Sequence, residues 1–292
     1  MKTKPNCKIN LGLHVVRRRA DGYHDLESLF LPVPLCDELT MQPADRFSFK
    51  QEGIPIGGDP ETNLVVRAYR LMEQQAPRGV RPMEIRLRKN IPFGAGLGGG
   101  SSDAAFAITM LNELWQLHLD TDRLCMLAAR LGADCPFFVL NKAAYVTGIG
   151  DQLEPLDGDP LGGFRLMLFK PEVAVSTAEA YRDIVPRECR PHTVADADLR
   201  RLVRQPVSRW RDTIVNDFEA TVFAAHPELG ALKQQLYDIG AIYVSMSGSG
   251  SALFALFDKG SAPTPLPPKL KNIQILDKEV QLKETAPTIT SR

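Results

Sequence analysis

Five of the chain's 22 glycines fall within seven residues, Gly94 to Gly100, in the run Gly-Ala-Gly-Leu-Gly-Gly-Gly. No strand or helix interior tolerates that density, because glycine loses the most backbone freedom on folding and offers no side chain to pack. The flanks say what the run connects. Before it, Met83, Ile85 and Leu87 alternate with Glu84, Arg86 and Arg88, the period of a half-buried strand. After it come Ser101 and Ser102, then an apolar helix marked by Ala104, Ala105, Ile108, Leu111, Leu114 and Trp115. A glycine loop feeding a helix start frees backbone N–H groups beside a positive partial charge, a cradle for a di- or triphosphate. The competing reading is a tight turn chosen only for close packing. Asp103, in the first helical turn, reads as a favourable charge on the helix dipole.

Two familiar glycine loops do not fit. Gly94 to Gly99 satisfies Gly-x-Gly-x-x-Gly, but a dinucleotide fold wants an acidic residue about 20 positions on, at the tip of a following strand. Here the nearest candidate, Glu113, lies inside the helix, and another helix follows from about Thr121. A Walker loop needs Lys after its last glycine, whereas Gly100 is followed by Ser101.

The first strand is equally legible. Cys7, Ile9, Leu11, Leu13 and Val15 alternate with Lys8, Asn10, Gly12 and His14, which puts Lys8 and Asn10 on one face. That face is either solvated or turned into a site. Further strands are expected at Leu35 to Gln42, Arg46 to Gln51, Phe164 to Phe169, on both sides of Ser247 to Ser251, and near Ile273 to Leu282. Helices are expected around Leu64 to Met72, behind Ser176 with Glu179 in a capping box, through the Arg-rich stretch to about Ala225, and from Pro227 to Ile239. Asp134, between Gly132-Ala133 and Cys135-Pro136, reads either as a helix N-cap or as a carboxylate placed for chemistry. The loop from Pro155 to Gly163, rich in Pro, Gly and Asp, is the expected boundary between residues 1–157 and 158–285, with 286–292 a tail.

Composition narrows the function class. The 35 Lys and Arg exactly balance 35 Asp and Glu, which argues against a generally basic nucleic-acid binder. No run of 18 apolar residues suggests a membrane span. Five cysteines without a Cys-x-x-Cys pair, and histidines without metal-site spacing, disfavour a disulfide scaffold or transition-metal enzyme. With no apolar signal core at the start, a cytoplasmic protein is expected. The balance also hides local excess: residues 1–24 hold six basic residues against Asp21, and residues 78–90 hold five against Glu84, so a basic cleft is expected.

The segment Pro92-Phe-Gly-Ala-Gly-Leu-Gly-Gly-Gly-Ser-Ser102 resembles the ATP-phosphate loop of the GHMP kinases, which include galactokinase and the homoserine, mevalonate and phosphomevalonate kinases. Three more segments agree in order and spacing over roughly residues 5 to 257. They are Lys8-Ile-Asn-Leu-Gly-Leu with Arg18-Arg-Ala-Asp-Gly-Tyr-His-Asp-Leu-Glu-Ser28, Leu131-Gly-Ala-Asp-Cys-Pro-Phe137, and Ser247-Gly-Ser-Gly-Ser251. Together they resemble the branch that phosphorylates the 2-hydroxyl of a cytidine-diphosphate sugar alcohol in the non-mevalonate route to isoprenoids. The resemblance implies an α/β two-domain fold, with an N-terminal ATP-binding domain like ribosomal protein S5 and a C-terminal ferredoxin-like domain.

It also implies roles. Asp134 would be the base and Lys8 its electrostatic partner. Pro92, Phe93, Gly94, Ala95, Gly96, Leu97, Gly98, Gly99, Gly100, Ser101 and Ser102 would hold ATP, with Asn63 and Lys89 on the same side. Asn10, Tyr23, His24 and Tyr181 would hold the acceptor, the aromatics stacking on cytosine. Mg²⁺ is implied as a companion of ATP, with Ser102 the one candidate protein ligand. The implied partners are two small molecules, ATP and the acceptor, with neither nucleic acid nor membrane, for a monomer or homodimer. Two departures are Cys7, where the branch usually has Ala, and Tyr181, where Phe is commoner. The rival functions are a mevalonate- or homoserine-type kinase, a nucleotide-binding homologue without catalysis and, most distantly, a dehydrogenase.

Overall fold

The computed structural model describes residues 1–55, 57–76, 79–261 and 266–279. Three four-stranded sheets organise it. The first has the order β1-β4-β6-β5, with β1 Lys2–Thr3, β4 Glu38–Pro43, β5 Ser48–Gly53 and β6 Met83–Lys89. The second has the order β2-β3-β7-β8, with β2 Asn6–Arg18, β3 His24–Cys36, β7 Ala144–Thr147 and β8 Gln152–Pro155. The third has the order β10-β11-β9-β12, with β9 Phe164–Phe169, β10 Tyr243–Met246, β11 Leu253–Asp258 and β12 Gln274–Glu279. Every pairing in the third sheet is antiparallel. Helices separate β9 from β10 and β11 from β12, so this half has the split βαβ pattern of a ferredoxin-like domain.

Sequence alternation explains how the layers stack. One face of β2 and β3 (Cys7, Ile9, Leu11, Leu29, Leu31, Val33) packs on one face of the third sheet (Leu166, Leu168, Tyr243, Phe254, Leu256). The opposite face of the third sheet, including Met167, Phe169, Val244, Ala255 and Phe257, packs under α8 Phe218–Ala225, α9 Pro227–Asp238 and α10 Pro268–Ile273. The first sheet packs on α1 Leu64–Glu73, α2 Gly99–Leu114, α3 Thr121–Ala129 and α4 Cys135–Leu140. An apolar core therefore runs across the Pro155–Gly163 loop and joins the two halves. Short helices α5 Thr177–Tyr181, α6 Leu199–Leu202 and α7 Trp210–Thr213 fill the connection between β9 and α8.

Several local expectations shift. β3 does not alternate cleanly and carries Pro32 and Pro34, yet it forms 13 residues of strand. Its second neighbour, β7, pairs only Ser28 to Phe30, so both prolines fall where β3 has a single partner. The strand expected over Leu35–Gln42 breaks at Asp37, whose carboxylate turns inward. α2 begins at Gly99, so the last two glycines and both serines form its first turn rather than a loop. Asp120 caps α3, accepting from the Arg123 N–H. Ser176 caps α5, but Glu179 leaves the capping box to bind His226 at 2.9 Å. The Arg-rich stretch splits into short pieces. The final strand ends at Glu279, and the expected tail lies outside the described residues.

Candidate active site

The candidate phosphate cradle is built by alternating backbone hands. Gly94, Gly96 and Gly98 sit at φ of 61°, 74° and 70°, the left-handed region that other residues rarely adopt. The alternation turns the loop's carbonyls outward, where three successive ones find donors. Ala95 O accepts from Ala252 N at 3.2 Å, Gly96 O from Ser247 Oγ at 2.9 Å, and Leu97 O from Lys8 N at 2.9 Å. Among the described residues, the N–H groups of Gly94 to Ser101 have no protein partner, a backbone nest at the start of α2.

The cradle rims a cavity of about 430 Å³ that is also lined by Lys8, Asn10, Ser28, Phe30, Asp134, Gly150, Thr177, Tyr181 and the Gly248–Gly250 turn. Lys8 is not on a solvated face: it is 3% exposed, and its ammonium lies 4.4 Å over the Phe30 ring. Its Nζ donates to Asn10 Oδ1 and stands 3.6 Å from Asp134 Oδ2. Burial pushes the Lys8 pKa down, with the Asp134 carboxylate opposing the shift. Asp134 occupies the N-cap position of α4, yet its side chain makes no capping hydrogen bond. The N-cap alternative therefore leaves the carboxylate unaccounted for, and its oxygens face Lys8 and, across the cavity wall, Gly150. Asn10 is held from behind, donating to Ser28 Oγ at 3.0 Å while its backbone N–H donates to Ser247 Oγ.

A second cleft of about 510 Å³ adjoins the first and shares Leu64, Phe93 and Gly100 with it. Asn63 lines this cleft, caps α1 by accepting from Val65 N, and donates to Gln51. Phe93, 71% exposed, stands between the two clefts. Lys89 is placed differently from a phosphate-contacting lysine: it is 2% exposed and its ammonium is engaged by Asp37 and Asp103. Ser101 lines the cavity, whereas Ser102 is fully buried behind it with an unpartnered hydroxyl. On the acceptor side Tyr181 lines the cavity and stacks on His24, with ring centroids 4.9 Å apart. Tyr23 stands away from the cavity and is largely exposed.

The expected basic cleft is narrower than the local charge count suggests. Lys2, Arg17, Arg19 and Arg86 are spent on Glu38, Asp25, Asp21 and Glu84. Of the cations in the two basic segments, Lys8 and Lys89 alone line the cavity among the described residues. Most donors that the loop offers to the cavity are therefore the unpartnered backbone N–H groups of Gly94 to Ser101. Sequence reasoning did not assign Ser28, Phe30, Gly150, Thr177 or Gly248–Gly250 to the site. The glycine and serine turn at Ser247 carried a visible signal, but Ser28 and Phe30 on the uneven strand β3 did not. Among the described residues, no group of three or more His, Cys, Asp or Glu that could hold a metal occurs, and none of their helices is long and apolar enough to cross a membrane.

Comparison with known proteins agrees with this geometry. Residues 63–142 match the GHMP kinases N terminal domain, and residues 199–264 match the GHMP kinases C terminal domain. A 4-diphosphocytidyl-2-C-methyl-D-erythritol kinase of Bacteroides fragilis is 48% identical over 261 residues, covering 88% of this chain and 92% of the other. Its namesake from Parabacteroides distasonis is 46% identical over 255 residues, covering 87% and 91%. A crystal structure of 4-(cytidine 5'-diphospho)-2C-methyl-D-erythritol kinase superposes with a TM-score of 0.73 at 37% identity, over 88% of this chain and 90% of that one. The Methanococcus jannaschii mevalonate kinase shares the fold at a TM-score of 0.64, with 12% identity over 89% of this chain and 92% of its own. A glycine nest opening α2, a buried lysine facing a free carboxylate, and identities near one half over most of the chain lead to one conclusion: this chain belongs to the GHMP kinases, in the family of the 4-diphosphocytidyl-2-C-methyl-D-erythritol kinases.

Proposed function

We propose that this protein transfers the γ-phosphoryl group of ATP to the 2-hydroxyl of 4-diphosphocytidyl-2-C-methyl-D-erythritol, in the non-mevalonate pathway of isoprenoid biosynthesis. The observation that carries the assignment of roles is the Lys8–Asp134 pair at 3.6 Å in a cavity rimmed by the glycine nest. Phosphoryl transfer asks chiefly for positioning and charge neutralisation. Asp134 orients the acceptor hydroxyl and takes its proton as the new O–P bond forms and ADP leaves. Lys8, desolvated beside Phe30, stabilises charge on the transferring group. The nest of Gly94 to Ser101 holds the ATP phosphates, and the adjoining cleft with Asn63 and Phe93 takes the nucleoside. Mg²⁺ bound with ATP would supply neutralisation of the phosphate charge, and the Asp134 carboxylate and Ser101 hydroxyl on the cavity wall are the protein oxygens that would face it.

Tyr181 and His24 offer ring faces for cytosine, with the largely exposed Tyr23 next to His24 in the chain a further aromatic on the acceptor side, and Asn10 serves the sugar alcohol or the orientation of Asp134. Residues 1–157 carry ATP and the catalytic pair, and residues 158–285 complete the acceptor side. The five free cysteines suit a reducing compartment and support a cytoplasmic enzyme. The test is ADP release with the cytidine-diphosphate acceptor set against mevalonate and homoserine. Turnover with the cytidine compound alone is expected, and Asp134→Ala should lower kcat at least about 10²-fold while ATP still binds. Turnover only with mevalonate or homoserine refutes the substrate, and near-normal turnover in Asp134→Ala refutes the base.

A further inference from the structure

Lys89 lies at the C-terminal end of β6, nine residues before the nest's last loop glycine, and its ammonium makes two bonds that close a loop. It donates to Asp103 Oδ2 at 2.7 Å, inside α2, and to Asp37 Oδ2 at the break between β3 and β4. The other oxygen of Asp37 accepts the N–H groups of Asn90 at 2.5 Å and Ile91 at 2.8 Å, the residues that lead into the nest. One buried ammonium and its two carboxylates thus tie the chain where it enters the nest to the chain where it leaves.

The nest rests directly on this triad. A Cβ at Gly99 would meet Ile91 Cγ2 at 2.8 Å and Lys89 Nζ at 3.4 Å, so the nest passes close to the ammonium and Ile91 leaves no room for a side chain there. All three charged residues are at most 2% exposed. Two carboxylates shared by one ammonium cannot add positive charge to the site, so electrostatic attraction of phosphate does not account for the arrangement. Nor is it good value as a core element, since an apolar set of the same volume avoids the cost of burying charge. What the triad does provide is directionality: each bond fixes an angle, and together they hold both ends of a glycine loop that has no stiffness of its own.

We propose that Asp37, Lys89 and Asp103 are the positioning residues of the ATP-phosphate nest: although Lys89 and Asp103 edge the two clefts, both are 2% exposed, and the triad sets nucleotide affinity by holding the nest's backbone. The proposal rests on the nest being the ATP site. It replaces direct ATP contact by Lys89, the role implied by resemblance, with action through Asn90, Ile91 and the first turns of α2.

The test compares Asp103→Asn, which keeps an acceptor for Lys89, with Asp103→Leu, which keeps the size and removes it. ATP binding is measured by calorimetric titration with ATP alone, so the result does not depend on the acceptor's identity, and unfolding is followed in parallel. Where the acceptor substrate turns over, both Michaelis constants are measured. Expected is a Kd and KM for ATP raised at least tenfold in Asp103→Leu, with kcat and the acceptor KM moving much less, and recovery to within threefold in Asp103→Asn. Lys89→Met should follow Asp103→Leu. Unchanged ATP affinity in a folded Asp103→Leu protein overturns the proposal. So does a proportionate loss of ATP affinity, acceptor affinity and kcat, which is what a merely structural cluster would give. A drop in kcat at unchanged ATP affinity would make Lys89 catalytic and overturn it as well. If the unaltered protein fails to bind ATP, the functional assignment fails instead, independently of the triad.

Discussion

Gly96→Ala is the sharpest probe of how the site is assembled. A Cβ built on Gly96 would sit 1.9 Å from the Ser247 carbonyl oxygen and 3.2 Å from the Gly250 nitrogen. Both are backbone atoms, so no rotamer change relieves the clash. Restoring ordinary contact requires the nest and the Ser247–Ser251 turn to separate by about 1–1.5 Å. Three hydrogen bonds cross or brace that junction: Ser247 Oγ to Gly96 O, Ala252 N to Ala95 O, and Asn10 N to Ser247 Oγ. At about 1 kcal/mol each they represent about 3 kcal/mol. Alanine in the left-handed region at φ 74° adds about 1–2 kcal/mol. The expected loss is therefore about 4–5 kcal/mol, a large share of a typical domain's stability. Gly94→Ala is the matched control: its φ is 61°, but nothing lies within 4 Å of the new Cβ, so only the conformational cost of about 1–2 kcal/mol applies. Urea unfolding gives both differences, and ADP release gives activity, where a misplacement of about 1 Å should cost about 10²-fold in rate. Stability of Gly96→Ala within about 0.5 kcal/mol of Gly94→Ala, with normal turnover, would refute the claim that the nest is wedged against the Ser247 turn.

Lys8→Met should separate stability from activity. It removes a desolvated ammonium and leaves Asp134, whose side chain is 32% exposed and keeps its hydration, so the melting temperature should hold or rise while kcat falls at least about 10²-fold. A parallel loss of both would instead mark Lys8 as structural. His14 gives a pH signature. It is 1% exposed, its Nε2 has no partner, and burial depresses its pKa below 6.5. Just below that value the unfolded chain carries a proton the folded chain lacks, so stability falls as pH drops from about 7 towards 5. His14→Gln should flatten that slope in urea midpoints measured across the range. Equal slopes in the two proteins would show that His14 does not contribute.

Local patterns carried much of this protein. The alternation in Cys7–Val15 and Met83–Arg88, the glycine density of 94–100 and the helix that follows were enough to suggest a phosphate cradle and to set Lys8 beside Asn10 on one strand face, while the catalytic roles of Lys8 and Asp134 came from the resemblance to the GHMP kinases. These signals are legible because each depends on a period or a backbone conformation that neighbouring residues set. The length of β3 was not, because its prolines are tolerated only where one neighbouring strand is absent, a property of sheet order and not of the residues themselves. For the same reason Ser28 and Phe30 escaped notice as walls of the site.

The sequence by itself presented Lys8 and Asp134 each with a bland alternative, a solvated strand face and a helix N-cap, and Lys89 entered only as an ATP-side residue implied by resemblance. Tertiary packing alone separated them. It desolvated Lys8 over Phe30, left the Asp134 carboxylate without a capping bond, and enclosed Lys89 between Asp37 and Asp103, 52 and 14 positions away. Charge counted along the chain suggested a basic cleft; folding paired Lys2, Arg17, Arg19, Arg86 and Lys89 with carboxylates and left the unpartnered N–H groups of the glycine nest as donors on the cavity wall. A side chain's chemistry depends on its solvation and on partners remote in sequence, and only the folded chain brings those together.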